Sequence, residues 1–339
     1  MIRFALFGAG FIGVVHAANI VKHPDGQLTY IYDANPETAK KAVARFGGQV
    51  ATSPEQIWNA NDVDAVLIAS STNTHADLLS QAADAQKAVL CEKPIDLELN
   101  LVKDIVNKVV HSGIPVGIGF SRRFDTNHLA IYNAVRKGDV GKLELMHLTA
   151  RGPTPPAIAY VKISGGQLRD QTIHFFDLAR WISDDEVVSV YAKGACLIDP
   201  DIGKAGDVDT SVCVMTFKSG AICTIDSSRR TAYGYDERIE VFGEKGLLIS
   251  ERKPTANVTH YVGDKTIQQG TYVGWFERME PTFYEELNAF IKAIENKQSP
   301  SPSLLDGLKA QLIAEAAVKS LSTGTTVAVE EWSPQEIMV

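Results

Sequence analysis

The sequence predicts two domains: an α/β domain with a doubly wound parallel sheet over residues 1–120, and an α+β domain with an open, mainly antiparallel sheet over 121–339. Three observations predict this. Short apolar runs alternate with helix-like amphipathic segments through the first part, the pattern of a parallel sheet with crossover helices. The first of these runs passes directly into Gly8-Ala9-Gly10-Phe11-Ile12-Gly13. After Ser121 the texture changes to runs with period-two alternation, which suit strands with one buried face. The length of 339 residues also exceeds the roughly 250 at which a single core stops growing.

Ile2 to Phe7 is predicted as a buried strand, and the helix-like Val14 to Val21 follows the glycines. Strand, Gly-x-Gly-x-x-Gly and helix in that order form the context of a dinucleotide-binding turn. Gly8 allows the tight turn, Gly10 lets backbone amides approach a pyrophosphate, and Gly13 lets the helix lie close to the strand with its positive end toward the phosphates. The next strand, Leu28 to Tyr32, ends in Asp33. A carboxylate there either hydrogen-bonds the adenosine ribose hydroxyls or simply ends the strand and starts a turn. Its charge repels a 2′-phosphate, and Ala34 and Asn35 supply no cation, so NAD is expected rather than NADP.

Asn35-Pro36 opens a helix that ends near Gly47-Gly48, and Ser53-Pro54-Glu55-Gln56 fits a capping box. Asp64 to Ala69 is a strand leading into Ser70-Ser71-Thr72-Asn73-Thr74-His75 and a helix through Ala85. Two uses fit Asn73 and His75: reaching the nicotinamide or its ribose, or capping the following helix. The run Ala88 to Cys91 ends in Glu92-Lys93-Pro94, which puts Lys93 at the carboxyl edge of the sheet, where open α/β sheets bind ligands. Pro94 stiffens the backbone there. A helix over Leu97 to His111 and a last strand over Ile114 to Phe120 complete the domain.

In the second part a helix opens at Arg122-Arg123-Phe124-Asp125 and runs through Lys137. Strands follow over Leu143 to Ala150, Val187 to Gly194, Thr210 to Phe217 and Ala221 to Asp226, the last two joined by a turn at Lys218-Ser219-Gly220. The open face of such a sheet needs a cover, and another subunit is the expected one. Between the first two strands lie Gly165-Gly166, Asp170 and His174. The pattern from Asp170 to Ile182 is helical, so Asp170 and His174, spaced i,i+4, are expected on one face. A carboxylate beside an imidazole orients a general base; an N-cap aspartate and a satisfied interface histidine are the structural alternatives. Paired glycines let backbone approach a ligand closely.

Apolar residues make up 45% and charged residues 22%, and the net charge is −8 without a run of Lys or Arg. Nucleic acid and anionic membrane are therefore poor partners, and a small polar substrate fits better. No stretch approaches the ~18 apolar residues of a membrane span, and the first apolar run is too short for a signal-peptide core. The four cysteines, Cys91, Cys196, Cys213 and Cys223, form neither C-x-x-C pairs nor a regular framework. They are expected as reduced thiols of a cytoplasmic protein, with no metal site.

Taken together, the glycine turn, Asn73-Thr74-His75, Glu92-Lys93-Pro94, Arg122-Arg123-Phe124-Asp125 and Gly165-Gly166 with Asp170 and His174 resemble the glucose-fructose oxidoreductase/inositol dehydrogenase/rhizopine catabolism (Gfo/Idh/MocA) family over nearly the whole chain. Cys91 to Leu97, Gly206-Asp207-Val208-Asp209-Thr210, Ser228-Arg229-Arg230 and Tyr233-Gly234-Tyr235-Asp236 resemble its inositol dehydrogenases. The resemblance implies a Rossmann domain, a homotetramer formed through the second sheet, and oxidation of a cyclic polyol, first of all myo-inositol, with NAD. It implies a catalytic set of Lys93, Asp170 and His174. Cofactor contacts are implied for Gly8, Gly10, Phe11, Ile12, Gly13, Asp33, Ser70, Asn73, His75, Glu92 and Lys93. Substrate contacts are implied for Lys93, Arg122, Asp170, His174, Tyr233 and Tyr235. Gly152 replaces a polar residue common in the Arg-x-Pro loop of these enzymes. Oxidation of scyllo-inositol or an aldose, NAD-using glycoside cleavage, and cofactor sensing without catalysis are the competing readings.

Overall fold

A computed structural model describes residues 1–334, and the chain divides into two compact units. The first comprises Met1–Phe124 with Thr282–Lys309, and the second Asp125–Pro281 with Ala310–Glu331. Thr282–Lys309, expected in the second domain, belongs to the first because Leu287, Phe290 and Ile291 pack with Phe4, Leu6, Ala88 and Leu90 in one buried core. Phe4 and Phe290 meet with ring centroids 6.3 Å apart.

The first unit contains β1 (Ile2–Phe7), α1 (Phe11–Lys22), β2 (Gly26–Tyr32), α2 (Pro36–Phe46), β3 (Gln49–Val50), α3 (Pro54–Trp58), β4 (Ala65–Ile68), α4 (His75–Asp84), β5 (Ala88–Cys91), α5 (Leu99–Ser112) and β6 (Val116–Ile118). All six strands are parallel in the order β3-β2-β1-β4-β5-β6, so the chain reverses its winding beside β1 and leaves a crevice at the strands' carboxyl ends. Asn35 caps α2 by accepting from the Glu37 amide, as its position before Pro36 predicts. The capping box expected at Ser53 is shifted by one residue: Gln56 accepts from the amide and hydroxyl of Thr52. The sixth strand is shorter than expected.

In the second unit, α6 (Thr126–Lys137), β7 (Leu143–Arg151), α7 (Ile158–Val161), α8 (Gln167–Asp170), α9 (Ile173–Ser183), β8 (Val187–Ala195) and α10 (Pro200–Lys204) are followed by β9 (Thr210–Phe217), β10 (Ile222–Ser228), β11 (Asp236–Gly243), β12 (Gly246–Ser250), β13 (Thr259–Val262) and β14 (Lys265–Gln268). Two long helices and a short strand come last, α11 (Trp275–Glu295), α12 (Leu304–Thr323) and β15 (Val327–Ala328). The division between units falls inside α11, at Pro281. The seven-stranded sheet has the order β12-β11-β7-β10-β9-β8-β15, and only its β7–β10 pair is parallel. Helix α9 buries Phe175, Phe176, Leu178 and Ile182 in the core this sheet shares with Met146, Leu148, Met215 and Ile225.

Ser121–Phe124 is a separate 3-10 turn, and α6 starts after Asp125 because the Asp125 carboxylate accepts from the amides of Asn127 and His128. Arg278 donates to the same carboxylate, and both side chains are buried. His128 lies 3.7 Å from Glu237, which accepts from the Tyr235 hydroxyl. A buried polar chain thus joins α6, β11 and the start of α11.

Candidate functional site

In the first unit, Gly8 adopts φ +88°, and a Cβ there would lie 2.5 Å from the Ser70 backbone. A Cβ at Gly13 would lie 2.0 Å from the carbonyl oxygen of Gly8. Both glycines are therefore dictated by the protein's own backbone. Gly10 differs: a Cβ there would meet nothing within 4 Å, and no side chain caps the start of α1. The amides of the first turn, where exposed Phe11 and half-buried Ile12 stand, present the helix's positive end to open space that suits a pyrophosphate.

Asp33 follows β2, and both of its carboxylate oxygens are engaged. Oδ2 accepts from the Ala9 amide at 2.8 Å, and Oδ1 accepts from the Asn35 amide at 2.8 Å. The residue closes the glycine turn and starts the next loop, and each oxygen retains acceptor capacity for a ribose hydroxyl.

Three residues expected at the cofactor face elsewhere. His75 is 1% exposed, with Nδ1 2.9 Å from the Pro94 carbonyl and Nε2 3.1 Å from that of Ser70. It neither reaches outward nor caps α4 through its side chain; it stitches the loop after β4 to the loop after β5. The Ser70 hydroxyl is held within the same turn, 2.7 Å from that of Thr74, while Asn73 is exposed. Glu92 turns to His16, 2.9 Å from its Nε2, and is itself half-buried. Lys93 itself stands half-buried just beyond β5, at the sheet edge its sequence position predicts, with a cis bond to Pro94. Arg122 lies half-buried on the 3-10 turn after β6.

In the second unit, the expected continuous helix from Asp170 is broken. Asp170 ends α8, and His174 is the second residue of α9. The break has identifiable causes: the Gln171 amide group donates to the carbonyls of Ala150 and Ser228, and the Thr172 hydroxyl lies 3.1 Å from that of Ser227. Gln171 and Thr172 are thereby pinned to the carboxyl ends of the parallel pair β7 and β10, and a turn with both residues in the αR region separates Asp170 from His174. His174 is 7% exposed. Asp170 accepts from Arg229 at 3.1 Å and from the Tyr160 hydroxyl at 3.0 Å, so it is a held carboxylate and not an N-cap. Buried Arg229 also lies 3.6 Å from Asp207, whose oxygens accept from the Gln167 amide. A Cβ on Gly166 would lie 2.7 Å from that Asp207 carboxylate, so this glycine makes room for a protein side chain and not for a ligand.

Sequence reasoning did not find Arg229 and Tyr160 as the partners of Asp170; the stretches Gly206 to Thr210 and Ser228 to Arg230 carried the only signal. Tyr235 is a correction. It is 8% exposed and donates its hydroxyl to Glu237 at 2.5 Å, inside the buried chain that begins at Arg278. Tyr233 is 45% exposed; its hydroxyl donates to Asp236 at 2.8 Å and accepts from Arg151 at 3.2 Å. At Gly152 a Cβ would meet Ser228, Gln171 and Arg229 only at ordinary contact distance, so the space for a side chain exists there.

Residues 2–120 match the oxidoreductase family with an NAD-binding Rossmann fold, and residues 128–249 match the GFO/IDH/MocA C-terminal domain. The myo-inositol 2-dehydrogenase of Thermotoga maritima is 41% identical over 97% of this chain and 99% of its own length. The chain belongs to the Gfo/Idh/MocA family. Among solved structures, a myo-inositol dehydrogenase from Corynebacterium glutamicum superposes with a TM-score of 0.91 at 35% identity, covering 98% of this chain and 100% of that one. A scyllo-inositol dehydrogenase from Lactobacillus casei with bound NAD(H) and scyllo-inositol gives a TM-score of 0.90 at 27% identity, covering 97% and 99%.

The first unit of this Gfo/Idh/MocA chain fits NAD on its own geometry: the uncapped start of α1, the open space at Gly10, and Asp33 placed after β2. Catalytic efficiency is expected to favour NAD over NADP by at least roughly tenfold, about 1.4 kcal/mol. Replacing Asp33→Ser together with Ala34→Arg should narrow or reverse that ratio. Because Asp33 also holds the Ala9 amide, the same variant should bind NAD itself more weakly. Equal efficiencies for the two nucleotides in the unmodified protein would show that Asp33 does not face the ribose.

Among the described residues, no helix is long and apolar enough to cross a membrane. All four cysteines are free, and burial pushes the Cys213 thiol up to about 12 and the Cys91 and Cys223 thiols well upward, which makes them poor nucleophiles.

Proposed function

We propose that the chain is an NAD-dependent polyol dehydrogenase that oxidises myo-inositol to 2-keto-myo-inositol. The observation that carries the reading is the 41% identity with a myo-inositol 2-dehydrogenase over 97% of the chain. NAD, when bound, supplies the hydride acceptor. His174 takes the proton of the hydroxyl being oxidised. Lys93 stabilises that oxygen as negative charge develops on it. Asp170, held by Arg229 and Tyr160, accepts a hydrogen bond from the substrate and orients it. Arg122 and Tyr233 supply further contacts to a ring of hydroxyls.

A panel of myo-inositol, scyllo-inositol and aldoses, followed by NADH absorbance with both nicotinamide cofactors, tests this. The highest kcat/KM is expected with myo-inositol and NAD. A higher value with scyllo-inositol or an aldose would replace the substrate. NAD binding without NADH formation from any polyol would turn the reading toward a non-catalytic sensor.

Assembly as a homotetramer in the cytoplasm belongs to the same proposal. Its support is an apolar row across four strands of the second sheet. Leu247, Phe242, Leu145 and Ile222 lie directly opposite one another in successive strand pairs, 49%, 43%, 41% and 43% exposed. Val212 and Val214 extend the exposed apolar surface on β9. A second copy of the chain is the cover argued for this face, and the free cysteines suit a reducing compartment. Light scattering should report a tetramer, and Phe242→Glu should shift it to smaller species. A monomer at micromolar concentration would rule out the assembly.

A further inference from the structure

Beneath the nucleotide turn, three side chains of the first unit converge: His16 from α1, Glu92 just after β5, and Glu286 from α11. One ligand atom from each lies within 4.8 Å of the other two. His16 is 1% and Glu286 2% exposed, and Phe283 packs edge-on against the His16 ring at 5.6 Å. His16 Nε2 and Glu92 Oε1 are 2.9 Å apart. Neither oxygen of Glu286 has a hydrogen-bond partner, and His16 Nδ1 has none.

Glu286 and Glu92 thus bring two carboxyl groups together against the buried His16 ring. Two carboxylates so placed require a compensating positive charge, either a proton or a cation. Neither Glu286 oxygen is held by a protein donor, which leaves both able to take a cation. One donor pair stands at 2.9 Å and the whole set within 4.8 Å, so the three surround a common centre. Ligand bonds of about 2.0–2.2 Å place neighbouring donor atoms roughly 3–3.5 Å apart around a tetrahedral or octahedral ion, so binding would draw an outlying donor inward. One imidazole and two carboxylates are the donors of a divalent first-row transition ion, and their formal charge of −2 is cancelled by one.

We propose that His16, Glu92 and Glu286 bind one divalent transition cation, with Zn²⁺ and Mn²⁺ the ions that suit this donor set. The ion ties α1, whose first turn faces the pyrophosphate, to the segment immediately preceding Lys93 and to α11. Its role is to stiffen the floor of the nucleotide crevice and takes no part in the chemical step. The proposal stands apart from the substrate reading.

The test measures metal in the full-length chain directly. Chelator-treated protein is dialysed against ZnCl2 or MnCl2, and bound metal is counted by plasma mass spectrometry alongside thermal unfolding. One equivalent is expected in the unmodified protein, with a melting temperature that rises with the logarithm of free metal above saturation. Glu286→Gln, close to isosteric, should weaken binding at least roughly tenfold and abolish the thermal shift, because it removes one of three ligands. His16→Gln should do the same, and serves if the first variant folds poorly. Metal held at other histidines or cysteines would persist in both variants and would count against the site. An unmodified protein that retains no more metal than Glu286→Gln, with Glu286→Gln melting at or above it, would overturn the proposal and assign Glu286 as a buried neutral acid.

Discussion

His174→Ala is expected to lower kcat for polyol oxidation by roughly 10²–10⁴ while leaving NAD affinity and melting temperature little changed. The residue is the second of α9, and Phe175, Phe176 and Leu178 carry the apolar packing of that helix. Proton abstraction requires the neutral imidazole, so oxidation by the unmodified enzyme should rise with pH, and this rising limb should disappear in the variant. Lys93→Ala should fall by a comparable factor, because a developing alkoxide left without a compensating cation is costly. Its rising limb should persist, since the base is still present. Steady-state kinetics from acid to alkaline pH, with stopped-flow traces to isolate the chemical step, separate these roles. Near-normal turnover and an unchanged profile in His174→Ala would make the histidine structural and move the base to another group. Arg229→Lys adds a positioning test: it keeps the charge near Asp170 but loses guanidinium geometry, and should raise KM for the polyol more than it lowers NAD affinity.

The second large effect concerns stability. Asp125→Ala should destabilise the protein by about 3–5 kcal/mol, because it leaves the buried Arg278 guanidinium uncompensated and also removes the cap of α6. Burial alone would push the Asp125 carboxyl up; the Arg278 hydrogen bond and charge, with His128 nearby, outweigh it and hold the group at about 2. The folded value is thus below the unfolded value of about 3.9. The linked stability is therefore fully present above about pH 4 and is lost as pH falls through about 2, an amount on the order of 2–3 kcal/mol. Urea denaturation should show this loss in the unmodified protein and not in Asp125→Asn. The double variant Asp125→Ala with Arg278→Met should recover much of the stability, since it removes the orphaned charge. Full stability of Asp125→Ala at neutral pH would mean that Arg278 finds another partner.

Much of the first unit was legible because its determinants are local. The order of strand, glycine turn and helix occupies Ile2 to Lys22, and Gly8 and Gly13 answer to backbone atoms of the same turn or of the neighbouring strand end. The strand periodicity of β7, β9 and β10 likewise follows from alternate burial, as in the buried Cys213, Met215 and Phe217 of β9. Lys93 could be placed at the sheet edge from its strand alone.

What only the tertiary structure decided concerns side chains whose partners are remote in the chain. Glu92 sits beside Lys93 in sequence, yet it turns to His16, 76 residues away, and lies within 4.8 Å of Glu286 on α11. Asp170 and His174 have helical spacing, but Gln171 and Thr172 bond to strand ends up to 57 residues distant, and those bonds replace the helical ladder with a turn. Tyr235 and Tyr233 have the same residue type and differ only in what lies above them: one is sealed over Glu237, the other remains half-exposed between Arg151 and Asp236. Periodicity records which face of an element is apolar. It does not record which distant polar group a buried carboxylate or hydroxyl will find, and in a low-dielectric interior that partner decides where the side chain points.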